Sequence, residues 1–181
     1  MELSEWTQEK MPFPALTILV GKNATGKTRL LRLVEKQYRT QYPDNTVEWV
    51  PFISRVDDRL SVISEALSNT KPTLVIVDAI DAKLHPVTQK TIMARTLQCV
   101  KNNPNLRVIY TCYSPIALGD VSFDSVFVLE CNNVGVSYIQ PITACPKYKC
   151  WQSFLTVGEF WSMAGESWVV DTEKQSLRSN K

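Results

Sequence analysis

Ala15-Leu16-Thr17-Ile18-Leu19-Val20-Gly21-Lys22-Asn23-Ala24-Thr25-Gly26-Lys27-Thr28 is the stretch that decides the fold. Its first six residues are apolar or β-branched and stop at a glycine, the pattern of a buried strand. From Lys27 to Gln41, Leu30, Leu31, Val34 and Tyr38 recur at steps of three and four, which places them on one face of a helix. Between strand and helix, Gly21 to Thr28 fits G-x-x-x-x-G-K-[ST] in full, in the setting that pattern requires. Glycines let the backbone curl so that successive N–H groups face phosphate oxygens, and the helix N-terminus adds partial positive charge. Lys27 is then expected to neutralise β and γ oxygens, and Thr28 to offer its hydroxyl to Mg²⁺, an ion that prefers oxygen ligands. Gly21, Lys22, Asn23, Ala24, Thr25, Gly26, Lys27 and Thr28 are the expected nucleotide-binding residues, with ATP and Mg²⁺ as the ligands. The competing reading is an ordinary glycine turn at a helix start, which accounts for neither Lys27 nor Thr28.

Outward from that loop, the chain alternates. Thr46 to Ile53 reads as a strand weakened at its far end by Pro51, and Asp57 to Ser68 as a helix with Leu60, Ile63 and Leu67 on one side. Leu74 to Val77 is a continuous apolar run, the mark of a central parallel strand buried between two helical layers. Pro86 suits a first helical turn, and Ile92, Met93, Leu97 and Val100 carry that helix to about Lys101. Leu106 to Thr111 is a further strand, and Ser125 to Glu130 with Gly135 to Ile139 form a hairpin through Asn132-Asn133. Strands alternating with helices imply right-handed crossovers and a parallel sheet covered on both faces. The expected class is therefore α/β, a P-loop NTPase with an antiparallel hairpin and a Trp-rich C-terminal element. Residues 1–170 form its single nucleotide-binding domain and 171–181 a polar tail.

Composition bounds what else the chain can be. With 181 residues it holds one domain, and with 44% hydrophobic and 21% charged residues it can bury a core. A net charge of +2 gives no compositional reason to expect nucleic acid or a membrane surface as partner. No run reaches the roughly 18 apolar residues of a membrane span, and Met1 to Lys10 is too polar for a secretory leader, so a cytoplasmic location is expected. Cys99, Cys112, Cys131, Cys145 and Cys150 are scattered and His85 is the single histidine, which favours neither a disulfide framework nor a zinc site. Cys145 and Cys150 are close enough in sequence to pair in an oxidising compartment, and reduced thiols are the reading that goes with the cytoplasm.

A second motif begins where the apolar run ends. In P-loop proteins a buried strand finishes in an Asp that holds Mg²⁺, and Val77-Asp78 fits, with capping of the following turn as the alternative for Asp78. Leu74 to Pro86, LVIVDAIDAKLHP, resembles the segment of four apolar residues, Asp-Glu-Pro-Glu, two residues and Leu-His-Pro found in ABC-type ATPases of the SMC, RecF and OLD (overcoming lysogenization defect) group. Asp78, Asp81, Leu84, His85 and Pro86 match or nearly match. Val108 to Pro115, VIYTCYSP, is similar to that group's apolar strand followed by Thr-Thr-His-Ser-Pro, with Thr111, Ser114 and Pro115 in place. The resemblance spans about residues 15 to 120. It implies an ATP-dependent switch or subunit in a larger assembly, DNA-associated or defensive, with nucleic acid as a partner by resemblance alone.

The departures carry chemistry too. Ala79 stands where the family has the glutamate that polarises the attacking water, and a methyl group accepts no proton. Tyr113 stands where the family has a histidine facing the γ-phosphate; its phenol donates a hydrogen bond but carries no charge near neutral pH. Hydrolysis is therefore expected to be impaired, with Asp81 and Tyr113 as the candidate catalytic substitutes. His85 before a helix proline reads first as a packing or capping residue. The family's signature loop, which a facing subunit contributes to the nucleotide, is not legible; Leu60-Ser61-Val62-Ile63-Ser64 is its nearest remnant. A weak ATP-dependent homodimer or a hetero-complex follows.

Gly158-Glu159-Phe160-Trp161 is echoed by Gly165-Glu166-Ser167-Trp168, an offset that puts both glutamates near one face of a helix unless Gly165 breaks it. With Trp151, these tryptophans either pack the element on the domain or form a partner surface. A different class, a small nucleotide or nucleoside kinase, suits the length, with Asp58-Arg59 near an acceptor. It lacks an arginine-rich lid and leaves Leu84-His85-Pro86 unexplained. A third reading is a structural relic that no longer binds nucleotide.

Overall fold

The computed structural model describes residues 13–50, 56–71 and 73–171, with the side chains of 56–59 excepted. The chain runs β1 (Leu16–Val20), α1 (Lys27–Gln41), β2 (Thr46–Val50), α2 (Val56–Leu67), β3 (Thr73–Val77), α3 (Pro86–Asn102) and β4 (Leu106–Cys112). Two 3-10 turns, Pro115–Leu118 and Phe123–Ser125, lead to the hairpin of β5 (Val126–Cys131) and β6 (Ser137–Pro141). Beyond it come α4 (Tyr148–Trp151) and α5 (Val157–Ala164). The expected elements form within a residue or two of their sequence bounds; 51–53, at the far end of the predicted second strand, lie outside the described residues.

Six strands form one sheet in the order β2-β3-β4-β1-β5-β6 among the described residues. All neighbours are parallel except β5 with β6, so the architecture is α/β with an antiparallel edge. The chain leaves β1 towards β2 on one side and later returns to β5 on the other, which makes β1 the point where the winding reverses. In open α/β sheets, the crevice outside the carboxyl ends of strands at such a point is where ligands bind.

Alternation along each strand divides the core. Leu16, Ile18 and Val20 of β1 face one layer, with Val75 and Val77 of β3, Ile63 and Leu67 of α2, Ile92 and Met93 of α3, and Phe160 and Trp161 of α5. Leu19, Leu74, Ile76 and Ile109 face the other, against Leu30, Leu31, Val34 and Tyr38 of α1. β3, buried at every residue, is the doubly covered strand that its unbroken apolar run predicts. In α3 the periodic apolar reading needs amendment: Leu97 and Val100 are half-buried, whereas Thr96 is fully buried because its hydroxyl meets the buried Tyr110 phenol at 2.7 Å.

The Trp-rich element packs on the domain. Trp161 and Trp168 are buried, and Trp151, Phe123 and Tyr148 surround the ring of Phe160 edge-on. The single helix face for Glu159 and Glu166 does not form, because α5 ends at Ala164 and Gly165 turns the chain with φ 63°. Glu159 instead closes a capping box with Thr156 at the start of α5. Gly158 lets α5 approach the turn that follows β4 so closely that a Cβ there would lie 2.0 Å from the Pro115 carbonyl oxygen. Gly158→Ala is accordingly expected to cost about 1 to 3 kcal/mol, lowering Tm by roughly 3 to 10 °C. Thermal unfolding checks this, and an unchanged Tm would mean that α5 is not held against that turn.

Candidate functional site

Strand register builds the site. β4 lies between β1 and β3, pairing Leu19 with Thr111 on one side and Val77 with Tyr110 on the other. One step beyond that second pair, Asp78 meets Thr111. Thr111 has the parity of Ile109, whose side faces α1, so its hydroxyl lies beneath the N-terminus of that helix. There it donates to Asp78 Oδ1 and accepts the Ala79 N–H at 2.6 Å. From above, the Thr28 hydroxyl donates to Asp78 Oδ2 at 2.6 Å. Thr28 and Asp78, fifty residues apart and chosen from sequence as a metal pair, thus share one hydrogen bond. A hydroxyl and a carboxylate are both hard oxygen donors, the chemistry Mg²⁺ requires.

The Gly21–Thr28 loop curls as its glycines predict. Gly21, Ala24 and Gly26 have φ of 141°, 64° and 95°, and a Cβ on Gly21 would meet the Leu129 carbonyl oxygen of β5 at 2.2 Å. Gly26 stands at the N-cap of α1, where no side chain caps the helix and no acidic residue occupies the first turn. Helix N-terminal N–H groups left without a side-chain acceptor suit an anion.

Lys27 folds back into this curl. Its ammonium donates to the carbonyl oxygens of Gly21 and Lys22, each at 2.6 Å, and lies 4.3 Å from the centroid of the Tyr113 ring. Only 3% of the residue is exposed. Burial disfavours the charged form and pushes its pKa down from 10.5 to about 8, against the opposing pull of Asp78, Glu166 and Asp81. The loop therefore holds a partly desolvated cation whose carboxylate neighbours compensate it incompletely.

Around this centre lie the other sequence-chosen residues. Ala79 adopts φ 55° and follows Asp78 directly, so the methyl group occupies the place the resemblance gives to a glutamate. Asp81 is 7% exposed; its Oδ2 accepts the Tyr113 N–H at 2.8 Å, and its buried Oδ1 has no hydrogen-bond partner. It braces the turn after β3 against the end of β4 and so positions Tyr113. Tyr113 is 41% exposed, its ring over Lys27, its pKa raised by burial and then by Asp78 and Asp81. His85 caps α3, its Nδ1 accepting the Val87 N–H at 3.3 Å. The side chains of Asp58 and Arg59 lie outside the described residues.

Several contributors escaped the sequence reading. Gln89, buried in α3, donates to the Leu84 carbonyl oxygen at 2.9 Å and ties down the segment after β3. Lys22 donates to Glu130 of β5 at 3.1 Å and lies 3.8 Å from Glu166, whose other oxygen accepts the Trp161 indole N–H. The C-terminal element thereby reaches the loop. The Gly-Glu-x-Trp echo was the signal available for Glu166, and nothing in the sequence singled out Glu130.

The chain matches no protein-family model, and no curated protein matches it.

The buried ammonium sets a pH dependence. Because the folded chain gives up the Lys27 proton near pH 8 and the unfolded chain near its ordinary 10.5, the unfolded state binds more protons in that window and stability rises with pH across it. Lys27→Met is expected to remove this rise and, at pH 7 without ligand, to be more stable than the parent by on the order of 1 to 3 kcal/mol. Denaturant unfolding of both proteins from pH 7 to 11 checks it; a less stable variant with the parent's pH slope would refute the desolvated cation.

Proposed function

We propose that the chain is a P-loop protein that binds ATP with Mg²⁺, similar to the ABC-type ATPases of the SMC, RecF and OLD group, and acts as a nucleotide-dependent switch with impaired hydrolysis. The observation that carries this reading is the hydrogen bond between Thr28 and Asp78 at the mouth of a loop that buries the Lys27 ammonium. In this reading Lys27 meets the β and γ phosphate oxygens, and the backbone of Gly21 to Thr28 surrounds them. Thr28 and Asp78 hold Mg²⁺, which supplies charge neutralisation at the phosphates. Asp78 is held for that task by Thr111, which takes one of its oxygens and leaves the other for Thr28 and the metal.

Binding of an anion also relieves the cost of the buried ammonium, so the empty loop is poised for phosphate. Against turnover stands Ala79: a positioned general base is typically worth about 10² to 10⁴ in rate, and a methyl group supplies none. Asp81 is bound to the Tyr113 backbone, and Tyr113 offers a neutral phenol. Cytoplasmic location, and a weak nucleotide-dependent homodimer or a partner subunit that completes the site, belong to the same proposal. Among the described residues, no helix is long and apolar enough to cross a membrane.

Lys27→Ala is expected to abolish thermal stabilisation by Mg-ATP, read as the shift in Tm with ligand; equal shifts in both proteins would refute the loop's role. Asp78→Asn is expected to remove the dependence of ATP affinity on Mg²⁺. In steady-state assays the parent is expected to turn over ATP far below about 1 s⁻¹, and Ala79→Glu to raise that rate. The left-handed backbone at residue 79 is no worse for Glu than for the Ala already there. A parent rate near 1 s⁻¹ or above that vanishes in Lys27→Ala would show that another group replaces the glutamate.

A further inference from the structure

A cleft of about 470 Å³ adjoins the Gly21–Thr28 loop on the β5 side of β1, whereas Thr28 and Asp78 stand towards β4 and β3. Its wall includes Lys22, Glu130, the Asn133-Val134 turn of the β5–β6 hairpin, and Ser167 and Val170 from the C-terminal element. The two ends of this surface differ in chemistry. Lys27 makes the loop cationic, but Lys22 is already paired with Glu130 at 3.1 Å and lies 3.8 Å from Glu166. The cleft therefore offers no spare positive charge and repels further phosphate, while carboxylate oxygens accept well from hydroxyl groups.

Val134 is 82% exposed at the rim of this cleft, and the half-buried Val170 supplies a second apolar surface. A ligand that fits both ends is anionic at one and neutral, hydroxyl-bearing and flat at the other. If Thr28 and Asp78 hold the metal at the terminal phosphates, the remainder of the molecule leaves the loop towards Lys22.

We propose that this cleft takes the nucleoside half of the bound nucleotide, with Glu130 accepting from ribose hydroxyls and Val134 and Val170 bordering the base. The proposal rests on the phosphate-loop reading and adds to it the subsite that lets the protein prefer a nucleotide over a bare polyphosphate. It also gives the C-terminal element a role: Ser167 and Val170 reach the cleft because α5 stops at Gly165 and the chain turns back.

Calorimetric titration with Mg-ATP and, separately, with magnesium and inorganic tripolyphosphate tests it on the parent, Lys27→Ala, Ser167→Trp and Val134→Asp. The parent is expected to bind ATP at least about tenfold more tightly than tripolyphosphate. Ser167→Trp, which fills the cleft, should bring the two affinities together by weakening ATP alone. Val134→Asp, at an exposed turn that places no demand on folding, should narrow the gap in the same direction. Lys27→Ala should lose both ligands. An ATP preference that survives both cleft variants, or a parent without any preference, overturns the cleft while leaving Lys27-dependent tripolyphosphate binding intact. Tripolyphosphate that fails to bind the parent, or binds without need of Lys27, overturns the phosphate-loop reading and the cleft with it.

Discussion

The Lys27 ammonium, almost fully buried and held by the carbonyl oxygens of Gly21 and Lys22, is the constraint to which the rest of the site answers. A cation taken out of water must be surrounded by acceptors and carboxylates, or it lowers its pKa and gives up its proton. Here the loop backbone supplies the acceptors. Asp78 and Asp81 supply charge from the turn after β3, and Glu166 supplies it from the far end of the chain. The compensation is incomplete, which leaves a site more favourable with an anion in it than without.

That arrangement explains why the sheet is wound as it is. β1 must deliver the loop at the centre of the sheet, with β4 and β3 on one side to bring Thr111 and Asp78 to the same level and β5 on the other to provide Glu130. Gly21 is the hinge of this placement, since β5 runs too close for any side chain there. Gly158 performs the corresponding service for the C-terminal element, which could not otherwise approach Pro115 and carry Glu166 to Lys22. Two glycines, far apart in sequence, thus hold the cation site and its remote carboxylate in register.

Much of this was legible in the sequence, for identifiable reasons. Strand β3 announced itself because burial on both faces demands an unbroken apolar run, and α1 because Leu30, Leu31, Val34 and Tyr38 keep helical spacing. The loop and Asp78 were legible because phosphate and metal chemistry restrict residue type and spacing to a short pattern. What the sequence left hidden is long-range and polar. Thr96 looked like a surface residue of α3, since only the fold brings it under Tyr110. Glu130 sits in a strand of otherwise ordinary pattern, and its pairing with Lys22 across 108 residues leaves no local trace. The repeat of Gly-Glu-x-Trp suggested one continuous helix, but Gly165 at positive φ gave the two glutamates separate tasks. Asp81 was chosen for its spacing from Asp78; the geometry makes it a brace for the Tyr113 backbone.

The central claim is that a desolvated Lys27 awaits phosphate, and its own titration tests this most directly. With the lysine side chains carbon-labelled and Lys27 assigned by comparison with Lys27→Met, NMR titration follows the ε-carbon shift with pH. The account predicts a midpoint near 8 without ligand, as the buried environment dictates, moving upward when Mg-ATP places negative charge beside the ammonium. A midpoint at the ordinary value of 10.5 without ligand, or one that Mg-ATP leaves where it was, would contradict it.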